Sequence, residues 1–98
     1  MDIRGKTAIV TGGASGIGRG ICDAFAERGG RVVLFDLQEE AGQKAVSEMG
    51  QDRALFVRVD VYSADDVAKG VEAAVEHFGE IHVAVNAAGV PHAAKTLD

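Results

Sequence analysis

Four short apolar runs recur along the chain, and amphipathic stretches separate them. The runs show little alternation between apolar and polar residues, which is typical of strands that are covered on both faces. They predict strands over residues 7–10, 31–35, 54–59 and 81–85. The stretches between them repeat apolar residues every three to four positions and predict helices over residues 15–28, 39–49 and 64–78.

The helix boundaries carry sequence signals of their own. Each predicted helix is followed by glycine, the residue that most often ends a helix. Glu39 and Glu40 stand in the first turn of the second helix, where the helix dipole favours acids. Residues 63–66, Ser-Ala-Asp-Asp, resemble a capping box with Asp in place of the usual Glu. The buried stripe of the third helix is expected to comprise Val67, Val71, Ala74, Val75 and Phe78.

The order of elements, β-α-β-α-β-α-β, predicts the topology. Parallel strands require long crossover connections, and helices between the strands supply them. We therefore expect a single α/β domain over residues 1–98. Its predicted architecture is a doubly wound, Rossmann-type parallel sheet with strands in the order 3-2-1-4.

Composition narrows the class of protein. The chain has 98 residues, of which 47% are hydrophobic, so disorder is not expected. A net charge of −5 without any basic stripe argues against nucleic-acid binding. No apolar stretch approaches the roughly 18 residues of a membrane helix, so no membrane association is expected. The single cysteine, Cys22, excludes an intramolecular disulfide and favours a cytoplasmic location, with the thiol as a packing residue.

A glycine-rich segment, TGGASGIG at residues 11–18, joins the first predicted strand to the first helix. A turn in this place presents unpaired N–H groups and the positive end of a helix dipole, which suits a phosphate. Gly12 and Gly13 are expected to supply the unusual backbone angles, Gly16 to admit a pyrophosphate, and Gly18 to allow close helix packing. Ser15 adds a hydroxyl donor. The alternative interpretation is a plain tight turn.

Asp36 ends the second predicted strand, 18 positions after Gly18. In dinucleotide-binding folds an acid at this place accepts a hydrogen bond from a ribose 2′-hydroxyl. A carboxylate there repels a 2′-phosphate, so NAD is favoured over NADP. Leu37 offers no compensating cation, and Arg19 is interpreted as a solvated helix residue.

The third and fourth predicted strands end at the same edge of the sheet. Asp60 and Val61 follow the third strand, and residues 86–89, Asn-Ala-Ala-Gly, follow the fourth. Ligands of open α/β sheets bind outside the carboxyl ends of the strands, at the point where connections reverse direction. One dinucleotide is therefore expected to contact all four segments.

These segments together resemble the short-chain dehydrogenase/reductase family over residues 6 to about 90. The chain carries the family's T-G-x-x-x-G-x-G turn, its cofactor acid, its D-V pair and, as VNAAG, its N-N-A-G motif. The resemblance implies that Asp60 bonds the adenine amino group, Val61 contributes its backbone, Asn86 lines the ribose side, and Ile17 donates an N–H to the pyrophosphate. The residues assigned to cofactor binding are Gly12, Ser15, Gly16, Ile17, Gly18, Asp36, Leu37, Asp60, Val61, Asn86, Ala87 and Gly89.

Two residues depart from the family pattern. Ala87 replaces the usual second Asn, which is thought to tie the central strands together, so that bond is in question. His82 takes a place where the family often has Asp. The three histidines lack metal-ligand spacing, and no metal site is expected.

No catalytic residue is assigned within the chain. The resemblance implies a catalytic Ser and a Tyr-x-x-x-Lys pair, in which the lysine lowers the pKa of the tyrosine. The only tyrosine, Tyr62, is followed four positions later by Asp66, an anion, and is rejected for this role. We expect the chain to be the first part of a longer dehydrogenase, cut after the fourth strand. The outer edge of that strand is then unpaired, which favours a homo-oligomer.

Three functions are compatible with these patterns. The first is an NAD-dependent short-chain dehydrogenase that interconverts a secondary alcohol and a ketone, with NAD(H) and a small-molecule substrate as its partners. The second is a nucleotide-binding module without catalysis. The third is a methyltransferase that binds S-adenosylmethionine, against which the wide spacing from Gly12 to Gly16 and the VNAAG segment both count.

Overall fold

A computed structural model describes residues 2–87, and the strands and helices alternate along them. The predicted order of elements is confirmed. The bounds are β1 (Thr7–Thr11), α1 (Gly16–Glu27), β2 (Arg31–Asp36), α2 (Glu39–Met49), β3 (Ala54–Arg58), α3 (Ala64–Phe78) and β4 (Val83–Asn86). The second and third helices have the predicted bounds. The largest difference is at β4, which begins two residues later and ends one residue later than predicted.

The four strands form one parallel sheet in the order β3-β2-β1-β4, which confirms the predicted topology. The pairing brings the carboxyl ends of the strands to one edge. Thr11, the last residue of β1, pairs with Phe35 on one side and with Asn86 on the other. Asp36 pairs with Arg58 of β3. Every loop that follows a strand therefore starts at the same edge of the sheet.

The sheet is covered on both faces by apolar side chains. Alternate residues of each strand point to opposite faces. Ala8 and Val10 of β1 belong to one apolar cluster, together with Cys22 of α1 and Ala45 of α2. Ile9 of the same strand belongs to a second cluster, which includes Ala74 of α3. The layers are thus α1 and α2 on one face and α3 on the other.

Cys22 lies in the first of these clusters and has no exposed surface, so the prediction of a packing role is confirmed. Burial raises the pKa of its thiol to about 12. At neutral pH the side chain is therefore a neutral thiol, and its reactivity is low.

The predicted buried stripe of α3 is wrong at two positions. Ala74 is fully buried, and Val67 and Phe78 pack against the second cluster. Val71 and Val75, however, are 37% and 43% exposed. Val71 lines an open groove beside β4, because the helix packs mainly over β2 and β3. None of the described helices is long and apolar enough to span a membrane.

Candidate functional site

A cleft of about 420 Å³ lies at the carboxyl edge of the sheet, and residues that follow all four strands line it. A volume of this size is within the range of small-molecule and cofactor sites. The lining includes seven of the residues assigned to cofactor binding from the sequence. They are Gly12, Ser15, Asp36, Leu37, Asp60, Val61 and Ala87.

Of the other assigned residues, Gly16, Ile17 and Gly18 form the first turn of α1, directly after the lining residue Ser15. Asn86 ends β4 and lines the neighbouring groove. Gly89 lies outside the described residues. The structure therefore brings the four sequence segments to one edge of the sheet, as the topology predicts.

The N-terminus of α1 differs from those of the other two helices. Ser15 is its N-cap, but the hydroxyl makes no capping hydrogen bond, and the first turn contains no acid. The first turn of α2 carries Glu39 and Glu40, and α3 is capped by the side chain of Ser63. Because α1 has neither a capping side chain nor an acid in its first turn, the N–H groups of that turn are suited to binding an anion.

Gly16 and Gly18 have different roles in the turn. Gly16 has a φ of +61°, and no heavy atom lies within 4 Å of where its Cβ would stand. A Cβ on Gly18 would collide with the carbonyl of Gly12, so the helix can approach the turn this closely only with glycine. Gly13, expected from the sequence to supply an unusual angle, has no positive φ. Its Cβ would instead meet Leu34 Cγ at 3.0 Å.

The carboxylate of Asp36 joins the end of β2 to the glycine-rich turn. One oxygen accepts a hydrogen bond from the backbone N–H of Ala14 at 3.1 Å, and the other accepts from Gln38 N at 3.0 Å. The carboxylate is part-buried and lines the cleft beside the exposed Leu37. A negatively charged side chain at the end of β2 thus lies in the cleft beside the glycine-rich turn.

Arg19 is ion-paired and not simply solvated, which corrects the sequence interpretation. Its guanidinium lies 2.7 Å from a carboxylate oxygen of Glu48 in α2 and 3.1 Å from one of Asp23. The hydrogen bonds to Glu48 and Asp23 raise the pKa of Arg19, and the hydrogen bond from Arg19 lowers the pKa of Glu48. The cation nearest to the glycine-rich turn is therefore held by two acids.

A set of short-range hydrogen bonds fixes the loop after β3. Ser63 Oγ accepts from Asp66 N, as a capping box predicts. The second half of the box is different, because the Asp66 carboxylate accepts from Asp60 N at 3.0 Å and not from Ser63 N. The carboxylate of Asp60 accepts in turn from Tyr62 N at 2.9 Å. Asp60 is therefore held at the cleft by the N-terminus of α3.

The hydroxyl of Thr11 connects β1 to β4. It donates to Asn86 Oδ1 at 2.9 Å and accepts from Ala87 N at 3.1 Å. The sequence left in question the bond between the central strands, because Ala87 replaces the family's second Asn. The threonine hydroxyl supplies a side-chain connection between these strands in the described structure.

Tyr62, Gln38 and Phe35 also line the cleft, and the sequence assigned none of them to cofactor binding. The sequence signal for Tyr62 is its position directly after the Asp60-Val61 pair. Among the described residues no three His, Cys, Asp or Glu side chains are grouped to hold a metal.

Comparison with known proteins identifies a family and several relatives. The model of the family described as short chain dehydrogenase matches residues 6–98. The momilactone A synthase of Oryza sativa subsp. japonica is 46% identical over 86 residues, which cover 88% of this chain and 31% of that protein. The 3-hydroxyacyl-CoA dehydrogenase type-2 of Drosophila melanogaster is 40% identical over 96 residues, with coverages of 98% and 37%.

Solved structures of other proteins have the same fold as this chain. The 3-ketoacyl-(acyl-carrier-protein) reductase from Brucella melitensis, crystallised in complex with NADH, superposes with a TM-score of 0.81 and 36% sequence identity. The match covers 84% of this chain and 34% of that one. The chain thus spans about a third of the length of the relatives that it matches.

Proposed function

The chain belongs to the short chain dehydrogenase family, and on this premise we propose that it is the NAD(H)-binding part of an oxidoreductase. The proposed reaction interconverts a secondary alcohol and a ketone by hydride transfer. The chain's own role in it is to bind the dinucleotide and to orient it at the carboxyl edge of the sheet. When bound, the nicotinamide ring accepts or returns the hydride.

The site fits a dinucleotide at the place where its phosphates are proposed to bind. The first turn of α1 has neither an acid nor a side-chain cap, and Gly16 faces open space. A pyrophosphate needs backbone N–H donors and room for close approach. Ile17 and Gly18 are the residues whose N–H groups would donate, and Ser15 would add its hydroxyl.

The position of the Asp36 carboxylate in the cleft is the observation that supports NAD over NADP as the cofactor. Its carboxylate is held in the cleft by the Ala14 and Gln38 amides, so a ribose hydroxyl would meet a fixed acceptor. A 2′-phosphate would instead meet a negative charge. Arg19, the cation nearest to the turn, is already paired with Asp23 and Glu48 and is a poor partner for that phosphate.

Proton transfer is not assigned to any residue of this chain. Tyr62 is its only tyrosine, and the residue four positions later is Asp66. A cation at that position would favour the phenolate, whereas an anion disfavours it. We therefore expect the chain by itself to bind NAD without turning over an alcohol or ketone.

Calorimetric titration of the chain with NAD, NADP and S-adenosylmethionine tests the proposal. We expect NAD to bind tightest, because NADP would place its 2′-phosphate beside the Asp36 carboxylate and S-adenosylmethionine has no pyrophosphate for the N-terminus of α1. Asp36→Ala should weaken NAD binding by roughly 10-fold or more, the lower range for losing a hydrogen bond to a charged group. Asp36→Asn should lower the ratio of NAD to NADP affinity, since it removes the negative charge that repels a 2′-phosphate, together with one of the two oxygens that accept backbone hydrogen bonds.

Glu72→Gln is the matched control. It removes one negative charge from an exposed position of α3 and should leave both affinities unchanged. Tightest binding of S-adenosylmethionine would favour the methyltransferase and overturn the proposal. An unchanged ratio of NAD to NADP affinity in Asp36→Asn would overturn the assignment of Asp36.

A further inference from the structure

Large exposed apolar residues gather at the outer part of the cleft. Leu37 follows β2, Val61 and Tyr62 follow β3, and all three line the cleft. Tyr62 is 73% exposed and Leu37 is 52% exposed. Single exposed apolar residues are common on protein surfaces, but a group of them in a concave site is typical of ligand binding.

Tyr62 is held by its backbone and not by its ring. Its N–H donates to Asp60 Oδ1 at 2.9 Å, and the next amide, Ser63 N, donates to Asp60 O at 2.9 Å. Among the described residues the phenol hydroxyl makes no hydrogen bond and the ring has no aromatic partner. The fold therefore fixes where the side chain starts, while it leaves the ring exposed in the cleft.

The order of the strands indicates which part of a dinucleotide would lie beside this ring. The phosphate-binding end of α1 follows β1, Asp36 ends β2, and Tyr62 follows β3, which is the outermost strand on that side. A nucleotide that extends from α1 past Asp36 therefore has its base at the loop after β3. Adenine has two apolar faces, and aromatic side chains stack on nucleobases.

We propose that Tyr62 is a specificity-determining residue whose ring stacks on the adenine of the bound nucleotide. Leu37 supplies a second apolar surface, from the end of the neighbouring strand. This inference rests on the proposed NAD-binding function and adds to it a residue that selects for a planar, aromatic base.

The competing position for the ring is the groove on the α3 side of the sheet. Tyr62 lines this groove too, together with Val67 and Val71. A ring turned toward that groove would be insensitive to a nucleotide in the cleft. The two positions therefore make opposite predictions for the environment of the tyrosine when the nucleotide binds.

The composition allows a direct test, because the chain has one tyrosine and no tryptophan. Its tyrosine emission therefore reports Tyr62 alone. We expect ADP-ribose and NAD to quench this emission at saturation. Nicotinamide mononucleotide, which lacks adenine, should leave it unchanged after correction for absorbance with free N-acetyltyrosinamide.

Affinities of three variants complete the test. Tyr62→Ala should weaken ADP-ribose and NAD binding by about fivefold or more, as expected when a stacked aromatic residue is replaced by alanine. Tyr62→Phe keeps the ring and should bind within about twofold of the wild type, since the hydroxyl has no assigned partner. Val75→Ala, at an exposed position of α3 outside both cavities, is the matched control and should bind as the wild type does.

The outcomes separate this inference from the function on which it rests. If NAD binds without quenching and Tyr62→Ala binds it with unchanged affinity, the stacking role is overturned while NAD binding stands. If calorimetry detects no NAD binding to the wild type, the proposed function fails and the role of Tyr62 fails with it.

Discussion

Gly18 is the residue at which the backbone of α1 comes closest to the turn that precedes it. A Cβ there would collide with the carbonyl of Gly12 and would lie 3.1 Å from Gly13 Cα. Gly20, one half-turn further along the same helix, has open space around the corresponding position. The two glycines thus separate the effect of close packing from that of helix propensity.

Gly18→Ala is expected to lower the free energy of unfolding by about 1–3 kcal/mol, since backbone atoms must move to admit the methyl group. It should also weaken NAD binding, because the same movement displaces the turn. Gly20→Ala should raise the free energy of unfolding by about 0.5–1 kcal/mol, because alanine favours the helix. Urea unfolding measures both, and equal stabilities of the two variants would contradict the close approach at Gly18.

Cys22 makes stability depend on alkaline pH. Its pKa is about 12 in the folded chain, against an ordinary value of 9.0. The unfolded chain therefore loses this proton first, so the stabilisation is complete below pH 9 and is lost as pH rises toward 12. Between pH 9 and 11 the free energy of unfolding should fall with pH more steeply in the wild type than in Cys22→Ala. The difference between the two slopes should be up to about 1.4 kcal/mol per pH unit. Parallel slopes of wild type and variant would contradict this.

At the scale of elements, His82 connects the start of β4 to the start of β1. Its Nδ1 accepts a hydrogen bond from the Thr7 N–H at 3.0 Å, and its Nε2 lies 3.0 Å from a carboxylate oxygen of Glu80. We assign the imidazole proton to Nε2, since Nδ1 must accept. The Asp that the family often has here is also an acceptor, which explains why a histidine can replace it.

His82→Leu should lower the free energy of unfolding by about 1–3 kcal/mol, because Thr7 is fully buried and its N–H loses its acceptor. His82→Asn is the matched control, since its side-chain oxygen can accept in place of Nδ1. Glu80→Gln alters only an exposed pair and should cost less than about 0.5 kcal/mol. Thermal and urea unfolding measure these differences, and a loss in His82→Asn as large as that in His82→Leu would exclude the acceptor role.

The sequence predicted the elements well because the apolar period changes sharply between strands and helices. It could not predict that Val71 and Val75 are exposed, since periodicity identifies an apolar face but not what lies over it. The donor to the Asp66 carboxylate, Asp60 N, was also not predicted. A capping pattern describes local partners, whereas the Asp66 carboxylate bonds an amide that the end of β3 brings close.

The site was predictable to the extent that topology determines it. Strand ends of a parallel sheet share one edge, so Gly12, Asp36 and Asp60 were expected at the same cleft, and they line it. The hydrogen bonds by which the Thr11 hydroxyl connects β1 to β4 were not predicted. They depend on a strand register that brings residues 75 or more positions apart into contact, which sequence spacing does not reveal.

At the scale of the whole molecule, the described sheet has two edge strands, β3 and β4, and an apolar groove lies beside the edge at β4. Within residues 2–87, β4 pairs with β1 only, and its outer edge has no strand partner. Ala84 is exposed and lines, with Val71, a groove of about 500 Å³. An unpaired edge beside an apolar groove favours association between chains.

Sedimentation velocity at increasing concentration is expected to show dimers or larger species of the chain. Ala84→Lys should shift the distribution toward monomer, because it places a charge at the groove and the open edge. Gln43→Lys adds the same charge to an exposed position of α2, on the opposite face, and should leave the distribution unchanged. A monomeric wild type at high concentration would contradict the prediction.

The groove beside β4 has a consequence that follows from chirality alone. The steps from β1 to β2 and from β2 to β3 run in one direction and carry their helices on one face, whereas the step from β3 to β4 runs back and carries α3 on the other. Right-handed crossovers require this arrangement. Any further parallel strand added beyond β4 continues the backward step, so its connecting helix must pass over the face of α3. That helix would pack on Val71 and Ala84. In a chain with such a further strand and helix, the groove would be buried in the interior.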